Sequence, residues 1–327
     1  MARVTSKDVA AAAGVSQTTV SFVLNGRRDH GISDETRELV RATAERLGYV
    51  PSAAARSLRS GHSHLVLCLV SEIVISEARE RFMLNLSADL ASAGYACVYL
   101  LHATNKPLAD VWQHVGPDVI VAFRKLAPED AEAIRGAGIA LIDSIYAAEG
   151  DATAPVGDQR AIGRLQVDHL AERGHRRIGV ATIDDPRETL FTGPRLEGVQ
   201  QRCRELGLDD PVVTVIEYTR DSAAAALRGW REAGVTAVAA FNDLTALAIL
   251  AAAATHGVRV PDDLALIGVD DVSIAALSAP ALTTVAMNLD LPAHRLAQQI
   301  LRLVNAATRL PKPATGPPLR LVQRETT

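Results

Sequence analysis

The chain has 327 residues, 48% hydrophobic and 22% charged, with a formal net charge of -4. This is the composition of a globular protein with room for two or three domains, and no apolar run approaches the roughly 20 residues of a membrane span. The charge is uneven: residues 1–60 hold nine Lys/Arg against six Asp/Glu, a net of +3, and the remainder holds twenty-five against thirty-two, a net of -7. A mildly basic head on an acidic body fits phosphate contact confined to one end.

The opening residues read as two short helices joined by a tight turn. Thr5 and Asp8 have capping-box spacing, Val9, Ala10 and Ala13 form an apolar stripe, and Gly14 stands where a helix exit favours a left-handed residue. Val15 is expected to be buried in the turn. Ser16 then caps a second helix, Gln17 to Leu24, which buries Val20, Val23 and Leu24 and stops at Asn25-Gly26. Helix, short turn and helix make a helix-turn-helix. Gln17, Thr18, Thr19 and Ser21 cluster towards the start of the second helix, the end that enters a major groove and carries positive dipole character. Ser16, Thr19 and Asn25 suit phosphate contact, joined by Thr5 and Ser21. Gln17 and Thr18 suit base edges, and Phe22 suits a thymine methyl or the backbone. A small structural bundle with the same caps is the alternative reading of this pattern.

A third helix is expected from Asp34 to Leu47, capped by Ser33 and ended by Gly48, with Leu39, Val40, Thr43, Ala44 and Leu47 facing the other two. The segment Pro51 to Ser60 follows. It is too short and Ala-rich to be a stable helix alone, yet it carries one large apolar residue, Leu58, between Arg56 and Arg59. It reads as a plain linker or as a segment that folds only when paired on DNA.

From Gly61 onward short apolar runs alternate with helical stretches, as in parallel sheets. Strands are expected at Leu65–Val70, Ala96–Leu101, Val119–Phe123 and Ile139–Ile142, with helices at Glu77–Ala93 and Pro128–Arg135. A second set follows: strands at Arg177–Thr182, Val212–Ile216, Ala237–Phe241 and Leu264–Val269, and helices at Asp158–Arg173, Pro194–Leu206, Ser222–Ala233 and Leu244–His256. Leu289–Ala306 reads as a helix returning to the first half, and Leu319–Val322 as a closing strand. Two such halves suit a hinged ligand-binding protein, with ligand at the carboxyl ends of the strands.

The cleft candidates follow strands. Asp270 ends LALIGV, and its carboxylate could accept from two neighbouring hydroxyls or amines. Asn242 ends AVAAF and offers both donor and acceptor. Arg195, expected to open a helix after the loop Asp184–Pro194, could clamp a polar ligand. Tyr218, after VVTVIE, could stack on a ring or sugar face. Each also has a bland reading: a helix cap for Asp270 and Asn242, a surface ion pair for Arg195, a packed edge for Tyr218.

Taken together, VSQTTVSFVLN, ISDETR, LGYVPSAAARSLRSG, VPDDLALIGVDD and PALTTV, in that order from Val15 to Val285, resemble the LacI/GalR family of transcriptional regulators. The resemblance implies an α/β fold: a helix-turn-helix headpiece at 1–50, a hinge at 51–61, and a periplasmic-binding-protein-like core of two parallel-sheet subdomains at 62–327. The N-subdomain would hold about 62–156 and 286–309, and the C-subdomain about 157–285 and 310–327. It further implies a homodimer, or a tetramer, that binds a pseudo-palindromic double-stranded DNA operator. Paired hinge segments would place Ala55, Leu58 and Arg59 in the minor groove with Leu58 as the wedge. A small-molecule effector, a sugar or related metabolite, would lie among Arg195, Tyr218, Asn242 and Asp270, with Ser76, Arg79, Ser144 and Tyr146 matching the family cleft by position. The sequence departs from the family in a longer loop at Arg27–Gly31 and in Phe22, where some members carry a base-reading arginine.

Other classes fit less well. A dinucleotide enzyme would show G-x-G-x-x-G after the first strand, but Val70 is followed by SEIVISEARE, and the glycines at Gly136 and Gly138 precede a strand. His169 and His175 lie too far apart for one helix face and gather no other ligands, so no metal and no cofactor is expected. The three cysteines, Cys68, Cys97 and Cys203, show no metal spacing and are expected to be isolated bystanders in a reducing cytoplasm. A solute-binding protein of a transport system with an appended helical domain is the alternative reading. The polar, capped start of the chain, unlike a secretory leader, favours a cytoplasmic regulator.

Overall fold

The computed structural model describes residues 4–24, 31–50, 57, 61–70, 76–101, 108–145, 158–306, 308, 310–312 and 316–327. Asn25, Ala55, Leu58, Arg59 and Tyr146, all singled out above, lie outside the described residues. The chain divides into two compact units, Met1–His64 and Leu65–Thr327.

In the first unit, helices α1 (Ser6–Ala13), α2 (Gln17–Leu24) and α3 (Asp34–Arg46) surround one small core. Val9, Ala10, Ala13, Val20, Val23, Val40 and Ala44 are its buried members, with Val15, Leu24 and Leu47 partly buried against them. The Asp8 carboxylate reaches back to accept from the Thr5 N–H at 2.8 Å and the Thr5 hydroxyl at 2.7 Å. Gly14 takes φ 66, so the chain leaves α1 through a conformation that a side chain would strain. Ser33 caps α3 by accepting from the Thr36 N–H at 3.2 Å. One expectation fails here. Leu39 is 51% exposed, because the buried stripe of α3 runs through Arg37, Val40, Thr43 and Ala44, and Leu39 sits a full 100° step off that line.

The second unit contains two sheets. The first is four-stranded and parallel in the order β2-β1-β3-β4, formed by Leu65–Leu69 (β1), Ala96–Leu100 (β2), Val119–Ala122 (β3) and Ala140–Asp143 (β4). Its two faces alternate with period two: Val66, Cys68 and Val70 enter one core cluster, Leu67 and Leu69 the other. Helices α4 (Glu77–Ser92), α5 (Ala109–Val115) and α6 (Pro128–Gly136) connect these strands. The second sheet has six strands in the order β10-β9-β8-β7-β5-β6. Its strands are Ile178–Thr182 (β5), Val212–Val215 (β6), Ala237–Ala240 (β7), Ala265–Val269 (β8), Thr283–Met287 (β9) and Leu319–Val322 (β10), and only the β9–β10 pairing is antiparallel. Helices α7 (Gln159–Glu172), α8 (Thr189–Glu205), α9 (Arg220–Glu232) and α10 (Asp243–Thr255) complete this half.

Helix α11 (Asp290–Leu303) returns to the first half, as its position in the chain suggested. Ala293, Leu296, Ala297, Ile300 and Leu301 share a core with Val66, Leu86 and Leu90. Polar pairs fix the docking: His294 Nδ1 lies 2.9 Å from the Asp89 carboxylate, and Asn85 donates to Asp290 at 2.7 Å.

Three sequence expectations need correction. Helix α8 begins at Thr189, five residues before Pro194, so Arg195 lies inside the helix rather than opening it. Strand β9 and helix α5 were not anticipated. The cysteines are not all isolated: Cys68 and Cys97 lie on neighbouring strands with sulfurs 3.6 Å apart. The hydrogen bond from Cys68 brings the Cys97 thiol down to about 7 and, with burial, pushes Cys68 up. Among the described residues, no helix is long and apolar enough to cross a membrane.

Candidate functional site

Two surfaces follow from these elements, one in each unit. In the first, Ser16 Oγ accepts from the Thr19 N–H at 3.0 Å and lies 2.8 Å from the Thr19 hydroxyl. Capping and polarity thus coincide at the start of α2, where unpaired backbone N–H groups attract anions. Thr18 is exposed and has no hydrogen-bond partner among the described residues. The Gln17 amide donates to Ser6 Oγ at 2.8 Å, which holds its side chain towards α1. Its carbonyl oxygen accepts no hydrogen bond from the described residues. Ser21 and Phe22 are half-buried along the same helix. The Thr5 hydroxyl is committed to Asp8.

In the second unit a cavity of about 570 Å³ opens between the two sheets. It lies at strand carboxyl ends, beside the points where strand order reverses, β1/β3 in one sheet and β5/β7 in the other. Ser76, Arg79, Arg195, Tyr218, Asn242 and Asp270 all line it. Ser144 does not, although its neighbour Ile145 does; Ser144 takes φ 89 at the end of β4.

Arg195 is 7% exposed. Its Nε donates to Gln159 Oε1 at 2.9 Å, its Nη1 to the Phe241 carbonyl at 2.6 Å, and its guanidinium lies 4.8 Å over the Phe241 ring. Nη2 has no partner among the described residues. Asp270 is 8% exposed and takes φ 109. Its N–H donates to Val285 at 2.9 Å, but no described residue donates to its carboxylate. Burial therefore pushes its pKa up, against the pull of Arg195 and then Arg79. Both groups thus turn unused hydrogen-bonding capacity to the cavity, where a polar ligand can take it up. Asn242 serves twice: its Oδ1 caps α10 by accepting from Thr245 N–H and hydroxyl, both at 2.8 Å, while its Nδ2 has no partner among the described residues. Tyr218 is half-exposed at the rim.

Sequence reasoning missed several wall residues. Phe82, Phe123, Phe191 and Phe241 give the cavity aromatic faces. Their hydrophobicity in strands and helices reads as ordinary core, which is why no local signal marks them. Glu188 was missed as well. Its side chain is 4% exposed and takes both terminal nitrogens of Arg79 at 2.7 Å, a pairing across 109 residues of sequence.

Asp243, at the start of α10, is a further buried acid. It accepts from the Thr284 hydroxyl at 2.5 Å and from the Val272 N–H at 2.9 Å, yet burial still pushes it up to about 7, with Asp270 and Asp271 adding to the rise. An acid raised on folding makes the native state bind the extra proton, so its contribution is lost as pH climbs through the folded value. His169 and His175 are lowered, mainly by burial, and act oppositely, costing stability as pH falls below the ordinary histidine range. Cys97, lowered to about 7, also gains stability as pH rises, so the Asp243 contribution is read as a difference between proteins: the melting temperature of the wild type should gain on that of Asp243→Asn as pH falls from about 8 to about 6.5. A difference that does not change with pH over this window would contradict the assignment.

The amino-terminal residues 5–52 match the family model described as bacterial regulatory proteins, lacI family, and residues 167–327 match a periplasmic binding protein-like domain. The chain is 30% identical to the HTH-type transcriptional regulator CelR of Thermobifida fusca over 94% of both chains. The chain belongs to the LacI family of transcriptional regulators. In fold it is similar to the Lac repressor dimer bound to operator and the anti-inducer ONPF, with a TM-score of 0.77, 23% identity and 99% of each chain covered. It is also similar to a CelR–cellobiose complex, with a TM-score of 0.64, 26% identity, and coverage of 99% of this chain and all of that one. The LacI-family relatives are regulators of transcription rather than enzymes, and the periplasmic-binding-protein-like core is accordingly a binding module. Among the described residues no group of three or more His, Cys, Asp or Glu side chains could hold a metal ion.

Proposed function

We propose that this LacI-family member is a cytoplasmic repressor that binds a pseudo-palindromic operator as a homodimer and is switched by a small polar metabolite in the core cavity. One observation carries the effector half: Asp270 and Arg195 are buried, face one cavity, and retain unsatisfied hydrogen-bonding groups. A sugar-like ligand supplies paired hydroxyls for the carboxylate, an acceptor for the guanidinium and Asn242, and a ring face for Tyr218 and the phenylalanines. The CelR–cellobiose complex shows a similar fold holding a disaccharide. Ser76 and Arg79 supply the opposing wall, and Ser144 and Tyr146 are assigned to it by family position alone.

The DNA half rests on α2. Gln17 and Thr18 read bases, Phe22 packs beside them, and Ser16, Thr19, Ser21 and Asn25 meet phosphates; Thr5, whose two donors go to Asp8, joins them only where that capping box opens. In the headpiece Gln17 is tied to Ser6. Its amide then either leaves that bond or reads through its oxygen. Gln17→Ala should cost roughly 1–3 kcal/mol at one symmetric base-pair position. Equal weakening on all sequences would make Gln17 a phosphate contact. The hinge residues Ala55, Leu58 and Arg59 are assigned to the central minor groove, with Leu58 as a wedge. A bound duplex without a central kink would remove that role.

The whole reading is tested by a ligand panel. Compounds that raise the melting temperature of the full chain are expected to change its retention on a duplex selected from random DNA. Stabilising ligands that leave DNA binding unchanged would separate the cavity from the switch.

A further inference from the structure

The first turns of α4 reach across the cavity at three points. The Glu77 carboxylate accepts from the Ser273 N–H at 3.0 and 3.1 Å and from the Ser273 hydroxyl at 2.8 Å. Arg79 donates from Nη1 and Nη2 to the two oxygens of Glu188, each at 2.7 Å. Arg81 Nη2 donates to the Asp270 carbonyl at 2.5 Å. The three acceptor and donor sites lie on separate segments of the second half: the 3-10 turn Ser273–Ala276, the turn Pro186–Glu188, and the residue after β8.

The central contact is the strongest. The Arg79 and Glu188 side chains are 16% and 4% exposed, their geometry is bidentate, and Arg79 also lies 4.7 Å over the Phe191 ring. Fork-on-fork pairing satisfies both ions at once, so desolvation is offset only while the pair is intact. Separating the halves would break it and hydrate both ions; removing one partner would leave the other buried and unpaired. The pair also forms part of the cavity wall, so whatever fills the cavity meets two charges already neutralised by each other.

We propose that Glu77, Arg79 and Arg81 with Glu188 form a clasp that holds the two halves of the core together across the cavity, and that Glu188 thereby sets how much ligand binding energy remains for the switch. A ligand shifts an equilibrium only by its differential affinity for the two states. If the closed state is already populated, a ligand for that state binds with little conformational cost, and weakening the clasp lowers its apparent affinity. Arg81 adds a positioning role: it fixes the backbone of Asp270, whose carboxylate faces the cavity. The proposal concerns the cavity read above as the effector site, but its test uses no ligand, so failure of one leaves the other standing.

The Ser273 amide reports closure directly, because its acceptor belongs to the opposite half. Hydrogen exchange of the full-length, ligand-free chain is measured on peptides covering Ser273 for the wild type, Arg79→Gln, Glu188→Gln and the charge-swapped pair Arg79→Glu with Glu188→Arg. Neither single substitution touches Ser273. Both are expected to speed its exchange by about tenfold, with the swap returning it towards wild type and the strands β7 and β8 unaffected. Unchanged Ser273 exchange in the single variants would overturn the clasp. So would a swap as fast as the singles, or equal acceleration in β7 and β8, which would report general destabilisation instead.

Discussion

Replacing Gly198 or Gly163 with alanine is expected to destabilise the core by about 3 kcal/mol, the upper end of the usual cost of overpacking. Helices α7 and α8 cross at these two residues. A Cβ on Gly198 would lie inside contact distance of the Arg160 carbonyl oxygen, and one on Gly163 would press on the Arg195 carbonyl oxygen and the Val199 nitrogen. These are backbone atoms, so no side-chain rotation relieves the clash; the helices must separate. Ile162, Val167, Leu170, Val199 and Cys203 then lose packing against β5, β7 and β8. Urea unfolding measures the loss. The same separation moves Arg195 away from Gln159, so ligand affinity should fall with stability. A cost well under 1 kcal/mol in both variants would show that the two helices are not locked together.

Asp270→Asn should separate the two properties. The carboxylate has no hydrogen-bond donor among the described residues, and burial already disfavours its charge. Removing that charge takes away a cost of folding, so the melting temperature should hold or rise. The ligand loses a charged acceptor, worth about 1.5–3 kcal/mol for hydrogen bonds to an ionised group, or at least tenfold in affinity. Asparagine keeps the size of aspartate and its tolerance of positive φ, which Asp270 adopts. A stability loss without an affinity loss, read by unfolding and by calorimetry, would make Asp270 a structural residue.

Much of this architecture is legible locally. Ser16, Ser33 and Asn242 announce helix starts by their own side-chain chemistry, and each is a cap in the structure. The period-two and period-3.6 patterns locate most strands and helices within a residue or two. What fails is what depends on distant partners. Strand β9 reads as polar because it opens with Thr283 and Thr284; both are fully buried, their hydroxyls satisfied by Arg324, Thr327 and Asp243 from elsewhere in the chain. Pro194 reads as a helix start because proline favours the first turn; here the helix has already run through Thr189–Gly193. The register that brings Cys68 to Cys97 and the pairing of Arg79 with Glu188 leave no local trace. In the cavity, Asn242 and Asp270 are legible from strand-end position and family resemblance together, and Arg195 from the resemblance, since it lies inside a helix rather than at its start. The aromatic wall was not, since a phenylalanine facing a cavity and one facing a core have the same sequence signature.

In the proposed function, ligand in the core cavity governs operator binding. Its most direct test is a gel-shift titration on one selected duplex, using a compound that thermally stabilises the full chain, with wild type and Asp270→Asn compared. The account predicts equal DNA affinity for the two proteins without ligand. It further predicts that ligand moves the wild type on or off DNA at concentrations at least about tenfold below those needed for the variant. The same ligand response in both proteins would place the effector site elsewhere and leave the cavity as a seam between the two halves.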